Sequence, residues 1–143
     1  LGASGGAAIE FADHLVMFEP YGSEAQTLAR IDAANRLVPG KAVTAIIVAT
    51  PQLRFVPDTV TVRQGETIAF EVTTMGPIVH EFMVGPAADV AADKPGTPEI
   101  ADLRMMQTGS VTYTFDGPGP YAFACHATGH YEAGMTGTIT VVP

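Results

Sequence analysis

The stretch Phe123–Gly137 reads FACHATGHYEAGMTG, and the rest of the chain reads as the scaffold that holds it. It contains the only cysteine, Cys125, followed by His130 and then Met135. The alternating residues before Cys125 and the β-branched run after Met135 make it a strand–loop–strand unit. Tyr121, Phe123 and Cys125 share one strand face, and Ala122 and Ala124 the other. Two aromatic rings leading the thiol inward predict a water-poor pocket. Gly129 and Gly134 let the backbone bend sharply around a small object.

Thiolate, imidazole and thioether on one loop form a soft donor set. One thiolate and two imidazoles in a plane, with a weak thioether above, is the donor pattern of blue-copper electron-transfer sites. The loop supplies one imidazole, so the second must come from elsewhere. His80, in IVHEFMVG at 78–85, is the best candidate, on a strand whose neighbours Val79, Phe82 and Val84 can enter the same core. Zinc is the runner-up, but it normally avoids thioether, and Met135 tips the choice to copper. The four donors would leave no open position for a substrate, so the chain is not expected to be an enzyme. His126 should point away from Cys125. A cluster fed through it would need many histidines, and the chain has four in all, so an exposed or partner-facing His126 is expected. Met105 and Met106 read as packing residues, with a second soft-metal site as the lesser reading.

Working outward, the pattern from Lys41 onward is β. Val43 to Thr50, Arg54 to Val56, Thr59 to Arg63, Thr67 to Thr74 and Val79 to Val84 are rich in Val, Ile, Thr and Phe, with Pro and Gly between them. Ser110 to Phe115, Tyr121 to Cys125 and Thr136 to Val142 follow. Many short strands with regular turns predict an all-β, two-sheet sandwich over 41–143. Between Gly85 and Gly109 the strand signal fades into a Pro- and Asp-rich connection, with a short helix expected near Glu99 to Met106. Residues 1–40 read as an N-terminal extension. It opens with the small-residue lead-in LGASGGA, and residues 8–18 form a weak strand or irregular segment in which His14 stands alone. Ser23 and Gln26 suit a capping box for a helix over about 24–37, which Pro39-Gly40 ends.

Composition excludes several classes. Seven Lys and Arg against fifteen Asp and Glu give a net charge of −8, so nucleic-acid binding has no electrostatic footprint. An acidic surface is first a solubility device, and it also suits a basic protein partner. A single cysteine excludes an internal disulfide, a four-thiolate iron–sulfur cluster and a two-thiolate binuclear copper centre. No apolar run approaches membrane-spanning length. The chain begins at Leu1 rather than methionine, so an export signal or anchor could have preceded it.

The loop C-x4-H-x4-M, with VHEF upstream and GHYEAGMTGTITV downstream, resembles the type 1 copper cupredoxins, in particular auracyanin-like and azurin-like carriers and periplasmic copper-tolerance cupredoxins. The resemblance implies a Greek-key β-sandwich with one copper at one end. His80, Cys125 and His130 would be the equatorial ligands and Met135 the axial one. Glu81 and Ala127 would flank the thiolate, with the Glu81 N–H donating to it. Relatives often have asparagine at Glu81 and proline at Thr128, so these are departures. Electrons would leave by the His130 edge through a patch made of Ala127, Gly129, Tyr131 and Ala133. The implied partners are a redox donor and acceptor, such as a cytochrome or an oxidase. A periplasmic or otherwise extracytoplasmic location follows, with membrane-complex association possible through residues 1–40.

Overall fold

The computed structural model describes Leu15–Val16 and residues 43–143. The expected helix over 24–37, the lead-in at 1–7 and His14 lie outside the described residues. Leu15–Val16 (β1) pairs in parallel with Thr44 and Ala45.

Two five-stranded sheets pack face to face. The first contains β1, Val43–Ala49 (β2), Phe55–Val56 (β3), Thr67–Thr74 (β5) and Thr108–Thr114 (β8). It runs β1-β2-β5-β8, with β3 on β2. The second contains Thr59–Arg63 (β4), His80–Pro86 (β6), Glu99–Leu103 (β7), Tyr121–Ala124 (β9) and Thr136–Val142 (β10). Its order is β4-β10-β9-β6-β7. Half of the neighbouring pairs in each sheet are non-consecutive in sequence, as Greek-key crossovers require. Beyond the short β1 pairing, β2 with β5 and β4 with β10 are parallel pairs.

The alternation visible in the sequence decides what each strand buries. In β5, Ile68, Phe70 and Val72 are buried while Glu71 is exposed. Phe55, Phe70, Phe82, Phe115 and Phe123 then fill the space between the sheets. Phe55 meets Phe82 at 5.5 Å and Phe123 at 5.4 Å, both edge to face, and Phe82 lies 5.2 Å from Phe123. Such pairs add about 0.5–1.5 kcal/mol each beyond the area they bury. Phe82 lies two residues from His80 on one strand face, and Phe123 two residues from Cys125 on the other. The aromatic layer is therefore the floor on which the candidate donors stand. Gly137 makes this packing possible: a Cβ there would collide with the Phe123 ring.

The segment between Gly85 and Gly109 differs from expectation. The helix (α1) is Ala87–Ala91, immediately after β6, and residues 99–103 form an edge strand on β6 rather than a helix. Leu103 is buried and Ile100 packs on the core, which gives this strand an inward side. Its register slips between His80 and Phe82, and Asp102 has φ 52°. That irregularity breaks the period-2 pattern by which a strand is read. Val79 also differs. It is only half-buried, because alternation from His80 sends Phe82 and Val84 inward with the imidazole.

Candidate metal centre

His80 opens β6, and its side chain is fully buried. The other expected donors ride on the loop between β9 and β10. That loop is closed by its own backbone. The His130 N–H donates to the Ala127 carbonyl at 2.8 Å, and the Met135 N–H returns to the His130 carbonyl at 3.1 Å. The Cys125 N–H donates to the Met135 carbonyl at 3.1 Å, which ties the cysteine and methionine ends together. Gly134, at φ 96°, takes the left-handed turn just before Met135.

These constraints bring the donor atoms together. Cys125 Sγ lies 3.3 Å from His130 Nδ1 and 4.0 Å from His80 Nδ1. One ligand atom from each of the three residues falls within 4.8 Å of the others, and all three side chains are buried. The two imidazole rings stand 5.0 Å apart. Met135, also fully buried, belongs to the same core cluster as Cys125.

The spacing can be tested against an ion. Sulfur and nitrogen bound at roughly 2.3 and 2.0 Å to one first-row ion, in a trigonal plane, lie about 3.7 Å apart. The two observed separations bracket that value, so the three residues fit a single ion with little movement. The chemistry agrees with the geometry. Thiolate and imidazole, with a buried methionine tied to Cys125 through the backbone, suit copper better than zinc.

The electrostatics follow from burial. Burial pushes the Cys125 thiol above its ordinary range. The N–H groups of Glu81 and Ala127 pull it down, and the Glu81 carboxylate pushes it up. The Glu81 N–H reaches Sγ at 3.2 Å, a donor aimed at the charge a thiolate would carry. Burial also lowers the His80 pKa, helped by neighbouring His130, while the Thr50 backbone opposes the shift. His80 Nε2 makes no well-formed hydrogen bond, so the ring is held mainly by packing. Its neutral form is the one a metal needs. The Glu81 carboxyl is raised by burial and then by Glu99, Asp93 and Asp102, with His126 opposing.

The remaining expected residues fall in different places. Ala127 is half-buried against the core, while Gly129 and Ala133 are exposed. His130 is 8% exposed, whereas His80 has no exposed surface. His126 faces away from Cys125, as expected, and is half-buried rather than fully exposed. Its ring stacks on Tyr131 at 4.6 Å, and Nε2 lies 2.7 Å from the Val90 carbonyl, to which Nε2–H donates. Both rings belong to a side cluster around Met83, Val90 and Ala124, on the strand face opposite Cys125. Met105 and Met106 are not packing residues either, since both are exposed.

Nothing in the sequence marks Arg54. It donates to the Leu53 carbonyl at 2.8 Å and to the Ala133 carbonyl at 3.0 Å, with its guanidinium against Gly134. It thereby ties the 50–54 turn beside His80 to the loop carrying the other donors. Its partners are backbone carbonyls, which leave no pattern in a sequence.

Fold and site together define a β-sandwich protein with a buried thiolate–diimidazole metal centre at one end. Residues 42–142 match the family of copper binding proteins described as plastocyanin/azurin, and the chain belongs to that family. It is 34% identical over 108 residues to a copper-resistant cuproprotein, CopI, of Rubrivivax gelatinosus, covering 68% of this chain and 66% of that protein. It is 45% identical over 53 residues to auracyanin-B of Chloroflexus aurantiacus, covering 34% of this chain and 23% of that one. The chain thus spans under two thirds of the length of either relative. Among solved structures, dithionite-reduced auracyanin from Roseiflexus castenholzii superposes with a TM-score of 0.61 at 26% identity, over 73% of this chain and all of that one.

Proposed function

We propose that this is an extracytoplasmic one-electron carrier in which His80, Cys125 and His130 hold a single copper ion and Met135 is the weak fourth donor. The observation that carries the reading is the convergence of one thiol and two imidazole nitrogens within 4.8 Å in a buried pocket. Bound copper supplies a Cu(I)/Cu(II) couple, and the chain supplies its surroundings. His80 is fixed by the sheet and its packing. The Glu81 N–H steadies the sulfur charge. The aromatic floor excludes water, so the donors need not rearrange when the charge of the site changes.

The His130 edge, with Ala127, Gly129 and Ala133 around it, is the shortest way out for an electron. A patch this small favours brief docking with a redox protein over tight binding. No substrate chemistry is assigned to the site, and we read the chain as a carrier rather than an enzyme. Residues 1–40 would serve for association with a membrane complex. Among the described residues, no helix is long and apolar enough to cross a membrane.

Voltammetry of the copper-loaded protein tests the carrier reading. A reversible one-electron wave and rapid exchange with a small basic cytochrome are expected; an irreversible wave with loss of the ion would overturn it. A second reading, copper sequestration for tolerance, is favoured by the similarity to the Rubrivivax copper-resistant protein. Under that reading the reduced protein should pass its copper quickly to a chelating acceptor. The carrier reading expects retention.

A further inference from the structure

We propose that Met75, Met105 and Met106 form a second metal site, a surface rim that binds a monovalent soft cation, Cu(I), through thioether sulfur. The inference is independent of the electron-carrier reading. It starts from exposure. The large hydrophobic side chains exposed among the described residues are these three, at 40%, 58% and 63%. By contrast Met83 and Met135 are buried, at 3% and 0%. Packing accounts for the buried pair and not for the exposed three.

Backbone bonds bring the three to one place. The Gln107 N–H donates to the Arg104 carbonyl at 2.9 Å, which closes a turn whose central residues are Met105 and Met106. The Arg104 N–H donates to Gln107 Oε1 at 2.9 Å and locks it. Met106 has φ 63°, a conformation for which turns ordinarily use glycine or asparagine. A methionine there therefore works against the local backbone preference. The Met106 N–H donates to the Thr74 carbonyl at 2.8 Å, and the Thr74 N–H donates to Gln107 at 3.0 Å. That lays Met75, the next residue, beside the turn. Its own N–H donates to the Ala49 carbonyl at 2.9 Å, which fixes its backbone.

The rim lies at the same end of the sandwich as the buried centre. Leu103, two residues before Met105, is the strand partner of His80. The turn is flanked by one acid, Asp102, and one base, Arg104, so local charge does not select a multivalent ion. Thioether softness does, and it favours Cu(I) over Cu(II) or Zn(II).

Titration of the reduced, copper-loaded protein with Cu(I) against bicinchoninate tests the proposal. Wild type should hold one Cu(I) equivalent beyond the buried centre, and Met75→Leu/Met105→Leu/Met106→Leu should lose it. The triple variant should keep the optical spectrum of the oxidised buried centre, which shows that it is folded. In wild type the methyl resonances of Met75, Met105 and Met106 should shift with the added equivalent, and that of Met135 should not. No added equivalent in wild type, or one retained by the triple variant, would overturn the rim. If the buried centre proves not to be copper while the Leu-sensitive equivalent persists, the carrier reading fails and the rim stands.

Discussion

The candidate donors come from two kinds of backbone. His80 belongs to a strand hydrogen-bonded on both sides, to β7 and to β9, and its ring has no exposed surface. Cys125, His130 and Met135 belong to a loop that holds itself by bonds from each donor residue to another part of the same loop. The sheet gives one donor a position that exists without the ion. The loop gives three donors a common shape, and one of them, His130, keeps a small exposed surface. The difference separates two tasks: rigidity comes from the strand, and access comes from the loop.

The widest contrast is expected on deleting each imidazole. His80→Gly and His130→Gly should both lose the visible band of the copper-loaded protein. Added imidazole should restore it in His130→Gly, where the cavity opens to solvent, and fail in His80→Gly, where it does not. Equal rescue in both would erase the distinction between strand and loop. Next in size is the floor they share. Phe82→Ala should cost about 3–5 kcal/mol in denaturant unfolding, because the ring touches other aromatics on several sides.

How far the sequence reached also follows the strand–loop division. The loop was legible because its donors are close in sequence and their chemistry is specific. His80 was legible because a lone histidine entered a strand of apolar residues. The edge strand at 99–103 was missed because its register slip and left-handed Asp102 break the alternation on which strand recognition depends. His126 was expected at the surface because the period-2 rule says only that it opposes Cys125. It does not reveal the Val90 carbonyl or the Tyr131 ring waiting on that side. The methionine turn gave no sign of its exposure, since apolar residues ordinarily predict burial.

Smaller effects probe the tie between the two regions. Arg54→Ala removes hydrogen bonds to Leu53 and Ala133. It should cost about 0.5–1.5 kcal/mol, the net worth of such bonds. Amide exchange should quicken at His130, Ala133 and Met135 and stay unchanged in β6. Arg54→Lys should recover part of the loss. Quickened exchange in β6 would show that the strand depends on the loop after all.

The slightest change expected is in pH dependence. Burial lowers the His80 pKa from its ordinary 6.5, so the unfolded chain takes up a proton before the folded one. Below that value the unfolded state binds more protons, and stability of the metal-free protein falls as pH falls. The loss levels off once pH drops below the folded pKa. Thermal melts of the metal-free protein from neutral to mildly acidic pH check the sign, and His80→Gln should flatten the slope.

On the proposed reading, Cys125 sulfur and the His80 and His130 nitrogens share one copper ion. The optical and EPR spectra of the Cu(II)-loaded protein test it most directly. An intense visible band from a thiolate–copper bond is expected, with the narrow copper hyperfine splitting of a covalent site, and both lost in Cys125→Ser. A colourless protein with the wide splitting of an ordinary nitrogen and oxygen site would contradict it.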